Sequence, residues 1–221
     1  MTRSSDLMFA MKRGLFITFE GPDGAGKSTQ IENLRRYLDE LGLESVFTRE
    51  PGGTELGEKI RDILLDPANK GMESRAEALL YSASRAELVE KVIMPALEQD
   101  KVVVCDRYVD SSLAYQGYGR GLGALKIFNI NQFATDDLDP ALTIMMLLDP
   151  EQGRARLDQN NLDRLESEDL EFRQKVLEGF AEIAEEYAYR MKVIDATQSR
   201  EEIWEQIREA VNWKLKKRGL I

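Results

Sequence analysis

The sequence predicts an α/β fold, a mainly parallel sheet with helices on both faces, built as one domain. Three observations carry that prediction. Short apolar, β-branched runs alternate along the chain with longer segments whose apolar residues recur every three or four positions. Two of the short runs, residues 101–105 (KVVVC) and 142–148 (LTIMMLL), are apolar without alternation, as strands covered on both faces must be. Finally, 221 residues of which 43% are apolar and 32% charged suffice for one buried core.

Each element has its own local reason. Residues 15–19 (LFITF) read as the first strand, closed at once by glycines. Residues 28–41 read as a helix, because Ile31, Leu34, Leu38 and Leu41 share one face and Gly42 supplies a stop. A second strand at 45–48 ends at Pro51-Gly52-Gly53, and a helix over 55–65 is stopped by Pro67. A longer helix covers 74–94 and leads into the strand at 101–105. Beyond the strand at 142–148, helices over 168–189 and 200–217 flank a last strand at 192–195. In such a sheet ligands sit at the carboxyl ends of the strands, so functional residues are sought directly after each one.

Composition narrows the chemistry. A formal net charge of −10 disfavours generic attraction to nucleic-acid polymers or anionic membranes, so any bound anion needs a local site. No apolar run approaches the ~18 residues of a membrane helix. The absence of histidine excludes a Ser-His-Asp triad, a histidine base and histidine-bearing zinc sites. Cys105 stands alone, which forbids an internal disulfide and fits a reducing, cytoplasmic location. Residues 1–13 lack the apolar core of a secretory signal and read as a loose lead-in to a domain spanning 14–221, with Met11 an equally good start.

The most specific motif follows the first strand. Gly21, Pro22, Asp23, Gly24, Ala25, Gly26, Lys27 and Ser28, with Thr29 next, satisfy G-x-x-x-x-G-K-[ST] at every defined position. Glycines let backbone N–H groups converge on phosphate oxygens, and the helix that starts here adds its positive dipole end. Lys27 is placed to reach the β and γ phosphates of a nucleotide, and the Ser28 hydroxyl to ligate Mg²⁺. After the strand at 101–105 come Asp106, suited to Mg²⁺ or its water shell, and Arg107, whose planar fork suits a phosphate. Arg49 and Arg85 stand at similar punctuation points, and residues 111–117 (SSLAYQG), with Ser112, Tyr115 and Gln116, offer amide and hydroxyl groups to a base edge. Residues 151–167 are polar, lack a clear apolar period and carry Arg154, Arg156 and Arg164, the composition of a basic lid.

Taken together these motifs resemble the thymidylate kinase family, in its bacterial form with a basic lid. The resemblance rests on FEGPDGAGKST (19–29), TREPGGT (48–54), YSASRAE (81–87), CDRYVDSSLAYQG (105–117) and LDRLE (162–166), in family order and spacing. It implies the P-loop nucleoside monophosphate kinase fold, a five-stranded parallel sheet flanked by helices with a lid. It implies Mg²⁺-dependent transfer of the ATP γ-phosphoryl group to dTMP, giving dTDP for dTTP synthesis, by a homodimer. Carried over by position, Arg49 and Arg107 would hold the acceptor phosphate, Tyr81 would stack on thymine, and Arg85 would donate to a thymine carbonyl. Gln116 and Ser112 would meet the base edge, with Tyr115 beside them, and Asp23 would contact the sugar 3′-hydroxyl. Position 24 is Gly where one version of the family has a basic residue, so Arg154 or Arg156 would neutralise the transferred phosphoryl, and Arg164 would bind phosphate nearby. Ile60, Ile63, Leu64, Leu79, Leu80 and Val89 are the apolar candidates for a dimer face, with ordinary core burial an equally good reading of each. A kinase for another nucleoside monophosphate or for a deoxynucleoside is the nearest alternative reading. A GTP-dependent switch would need N-K-x-D, and the only Asn-Lys pair, Asn69-Lys70, is followed by Gly71-Met72.

Overall fold

The computed structural model describes residues 14–158, 160 and 162–221, and the expected lead-in at 1–13 lies outside them. Five parallel strands form one sheet in the order β2-β3-β1-β4-β5: β1 Leu15–Glu20, β2 Ser45–Arg49, β3 Val102–Asp106, β4 Leu142–Leu147 and β5 Met191–Asp195. The two runs without alternation, β3 and β4, flank β1 inside the sheet, where both faces are covered. The chain leaves β1 toward β2 on one side and later crosses to β4 on the other. A crevice therefore opens at the carboxyl end of β1, where the connections diverge.

Helices α1 Lys27–Glu40 and α2 Glu55–Leu65 come first; α3 Ser74–Leu88 then passes through a π turn, Val89–Ile93, into α4 Met94–Glu98. The sequence predicts a single helix over 74–94. Pro95 explains the difference: it has no N–H to donate and its ring crowds the preceding turn, and the wider π turn sits just before it. Between β3 and β4 lie elements with no counterpart in the sequence reading, α5 Val109–Ser112 with a π turn Leu113–Gly119, and α6 Ala124–Thr135. Next come α7 Pro150–Ala155, α8 Leu170–Glu186, capped by Asp169, and α9 Arg200–Arg218, opened by a Ser199/Glu202 capping box.

Alternate residues of β1 enter different cores, as a period of two requires. Leu15, Ile17 and Phe19 pack with Leu34 and Leu38 of α1 and Ile203, Ile207, Val211 and Leu215 of α9. On the other face Phe16 packs with Leu88, Ile93, Val103 and Tyr108, while Met145 of β4 meets Phe180 and Ile183 of α8. That second face is polar toward the crevice. Thr18 and Thr143 share a hydrogen bond of 2.8 Å, and the fully buried Asp110 takes Arg190 on both oxygens at 2.8 and 2.7 Å. Buried charges survive in pairs of this kind.

Candidate active site

Strand register brings the motifs together. Asp106 is the Cα partner of Phe19 on one side and of Arg49 on the other, so the glycine loop, the Asp106-Arg107 pair and Arg49 leave the sheet side by side. They open into one cavity of about 830 Å³. Loop residues from Asp23 through Thr29 line it, as do Arg49, Tyr81, Arg85, Asp106 and Arg107. Ser112, Tyr115, Gln116 and Arg156 complete the predicted members of its wall. Gly21, Pro22, Arg154 and Arg164 are not part of that wall.

The glycines are needed where backbone crosses backbone. Gly24 has φ +79° and lies so close to the Gly153 carbonyl of α7 that a side chain there would collide with it. Gly153 in turn approaches the Asp23 carbonyl, so a Cβ on it would sit 2.6 Å from that oxygen. An arginine at position 24 is sterically excluded by the lid helix. The same contact carries Arg156, just beyond α7, onto the loop, where Nη1 donates to the Gly24 carbonyl at 3.2 Å and to Ala196 at 3.4 Å. The expected lid thus begins as a helix, with Pro150 in its first turn and Asp149 accepting from Glu151 N–H. Arg154 instead faces a small neighbouring cleft with Pro22 and Phe172.

Lys27 folds back on the loop, donating to the carbonyls of Gly21 at 3.0 Å and Pro22 at 2.9 Å. Burial, reinforced by the Arg107 charge, brings its pKa down to about 8, against the opposing pull of Asp23, Asp106 and Glu20. Arg107 has φ +71°, an uncommon left-handed backbone for a residue with a side chain. Its guanidinium reaches Gly21 O at 2.9 Å, Ser111 Oγ at 3.0 Å and Asp23 Oδ1 at 2.5 Å. Burial alone would raise the Asp23 carboxyl, but Arg107, Lys27 and the Tyr115 hydroxyl, 2.9 Å away, outweigh it and leave the pKa at about 2. Arg49, also on the cavity wall, donates from Nη2 to both carboxylate oxygens of Glu58, at 2.9 and 3.1 Å.

Three carboxylates that sequence reading left without roles organise these groups, two of them by binding arginines directly. Glu50 accepts Arg85 Nε at 2.7 Å and also binds its Nη2. Arg85 further donates to Tyr108 O, Ser112 Oγ and Asn131 Oδ1, so all five of its N–H groups are directed at protein acceptors. Arg164 is buried, donating to Leu64 O at 2.7 Å and Glu77 at 2.6 Å, which ties the lid root to α2 and α3. Glu20 accepts Tyr108 N–H at 2.7 Å and the Ser111 hydroxyl at 2.5 Å, fixing the turn that carries Arg107. The available signal was the arginines themselves: an arginine in a core needs a carboxylate, and both Glu20 and Glu50 lie inside motifs already singled out.

Burial and then Asp110 push Glu20 up to about 8. Because its folded pKa lies above the ordinary value of 4.5, its contribution is present at low pH and is lost as pH rises from about 4.5 to about 8. Glu20→Gln, uncharged throughout, should gain Tm relative to the parent across that window in thermal unfolding. Parallel Tm curves for the two proteins would contradict the buried-carboxyl assignment.

A glycine-rich loop at the carboxyl end of a central parallel strand, with arginines at the ends of β2 and β3 and Arg156 beyond α7 on the same cavity wall, defines a nucleotide-dependent phosphotransferase of the P-loop class. The thymidylate kinase family model matches residues 19–207. Thymidylate kinase of Lactobacillus acidophilus is 51% identical over 199 residues, covering 88% of this chain and 92% of that protein. Thymidylate kinase of Symbiobacterium thermophilum is 50% identical, covering 92% and 95%. The crystal structure of thymidylate kinase from Ehrlichia chaffeensis superposes with a TM-score of 0.74 at 35% identity, covering 90% of this chain and 98% of that one. The chain belongs to the thymidylate kinase family, enzymes that phosphorylate dTMP to dTDP with ATP.

Proposed function

We propose that donor and acceptor meet in this cavity as follows. The ATP phosphates lie in the glycine loop, and the donor base rests toward Ala196, Gln198 and Arg200 after β5, which line the same cavity. The dTMP phosphate lies between Arg107 and Arg49, with Asp23 at the sugar and the base against Tyr81. The observation that carries this reading is the register that sets Arg49 and Asp106-Arg107 beside the end of β1.

The acceptor phosphate already bears nucleophilic oxygens near neutral pH, so no side chain must remove a proton from it. Phosphoryl transfer through a loose transition state then needs alignment and positive charge. Lys27, Arg107, Arg49 and Arg156 supply that charge. Arg156 takes the lid role because it stands on the loop and the cavity wall. Tyr81, on the cavity wall, would stack on the base. Ser112 already accepts from Arg85, which leaves its own hydroxyl proton for a base carbonyl, whereas Arg85 must exchange a partner to donate there. Asp106 Oδ1 is buried with no hydrogen-bond partner among the described residues, a fitting anchor for Mg²⁺ or its water shell together with the Ser28 hydroxyl. When bound, Mg²⁺ would neutralise charge on the β and γ phosphates.

Ile60, Leu64 and Val89 are spent in the core, while Ile63 and Leu79 remain exposed on α2 and α3, with Phe133 92% exposed on α6. A second copy of the chain is the proposed occupant of those faces, and sedimentation of the protein against a Leu79→Glu variant tests it. No helix among the described residues is long and apolar enough to cross a membrane. The reduced, buried Cys105 fits a cytoplasmic site of action.

The deciding assay measures ADP release from ATP with dTMP, dUMP, dCMP, dGMP or thymidine as acceptor, and with none. The expected result is fastest turnover with dTMP and none with thymidine, which lacks the phosphate the arginines hold. Faster turnover with a purine nucleotide, or equal ADP release without acceptor, would overturn the assignment.

A further inference from the structure

Gln116 forms part of the cavity wall with its side-chain amide held from behind. Its Nε2 donates to Glu77 Oε1 at 2.8 Å, and Glu77 is wholly buried. The same carboxylate receives Arg120 Nη2 at 3.0 Å and Arg164 Nη1 at 2.6 Å. The two ends of an amide are chemical opposites, and the end that faces a ligand decides what the ligand must present. An ionised carboxylate only accepts, so Glu77 is satisfied by the NH₂ end of Gln116 alone. Burial would raise Glu77, but its hydrogen bonds from Arg120, Gln116 and Arg164 and the Arg120 charge outweigh burial and hold the carboxyl below its usual range. Nothing among the described residues donates to Gln116 Oε1. The carbonyl is therefore the end left for the cavity.

Resting on the dTMP reading above, we infer that Glu77 is a positioning residue: it locks Gln116 carbonyl-outward, so that the pocket selects a pyrimidine whose ring nitrogen carries a proton. Thymine presents an imide N–H to such an acceptor. A cytosine-type base presents a bare nitrogen, and two acceptors then face each other across a dry contact. A site built to receive a donor rejects its absence far more strongly than a size difference.

The test compares the parent enzyme and Glu77→Gln on dTMP and 5-methyl-dCMP, which differ only in that base edge. In the parent, kcat/KM strongly favours dTMP. In Glu77→Gln the neighbouring amide can donate or accept, the orientation of Gln116 is no longer dictated, and the preference falls by about tenfold, through KM for dTMP with kcat largely kept. If Glu77 merely neutralised Arg120 and Arg164, its loss would slow both substrates alike and leave the ratio intact. The double variant Glu77→Gln/Gln116→Glu restores an acceptor toward the cavity and should recover most of the preference. A folded Glu77→Gln enzyme with parental selectivity overturns the inference.

Should the variants not fold, NMR on parent enzyme labelled at the glutamine side-chain nitrogens decides. The Gln116 amide protons should exchange slowly before dTMP is added, because Glu77 already holds them. Protection that appears only with dTMP would mean the amide donates to the base, and overturns the inference. A parent enzyme indifferent between the two nucleotides would instead sink the dTMP reading, and this inference with it.

Discussion

Replacing Arg156 by alanine is expected to lower kcat by roughly 10³- to 10⁵-fold, the range contributed by transition-state arginines in comparable enzymes, with dTMP affinity nearly unchanged. The reason is positional. Arg156 lines the cavity and touches the Gly24 carbonyl, whereas Arg154 looks into a separate cleft, so Arg154→Ala should cost far less. An interaction made mainly with the transferring group lowers kcat and kcat/KM together and leaves ground-state binding alone. Steady-state kinetics with a parallel dTMP titration by calorimetry separates these quantities. Parental turnover in Arg156→Ala would remove the lid from the mechanism, and a larger loss in Arg154→Ala would exchange the two roles.

Lys27→Ala is the second large effect, a fall in turnover of roughly 10²- to 10³-fold or more in a protein that still unfolds cooperatively near the parental temperature. Its pH dependence has a definite sign. With the pKa lowered to about 8 in the nucleotide-free fold, Lys27 loses its charge as pH rises through that value. The kcat/KM for ATP, which reports the free enzyme, should therefore decline on the alkaline side. The kcat should hold to higher pH, because bound phosphates favour the protonated amine. A kcat/KM profile flat well above pH 8 would show that the loop does not depend on this ammonium group.

The contrast between what was legible and what was not follows from the range of the interactions. The phosphate loop was readable because all its parts are contiguous: strand, glycines, Lys27 and helix start occupy residues 15–40. The interior strands were readable because burial on both faces leaves a mostly apolar run without alternation. Residues 109–135 were not, since a π turn over Leu113–Gly119 breaks the 3.6-residue period and glycines at 117, 119, 121 and 123 interrupt what remains. The lid helix escaped for a related reason. At six residues it is too short to establish a period, and its cap Asp149 and Pro150 are the only local signs of it.

By itself the sequence determined the class of chemistry, because backbone amides, a lysine and a hydroxyl must follow one another at fixed spacing to cradle a triphosphate. Only the tertiary structure decided that Arg156 rather than Arg154 lines the cavity, that Arg85 and Arg164 are bound by Glu50 and Glu77, and that Glu77 holds the NH₂ end of Gln116. Those outcomes depend on groups up to 132 positions apart along the chain, as with Arg156 and Gly24. Such pairs are chosen by burial, where a charge or an amide left without its partner is costly, and no local pattern of residues records that choice.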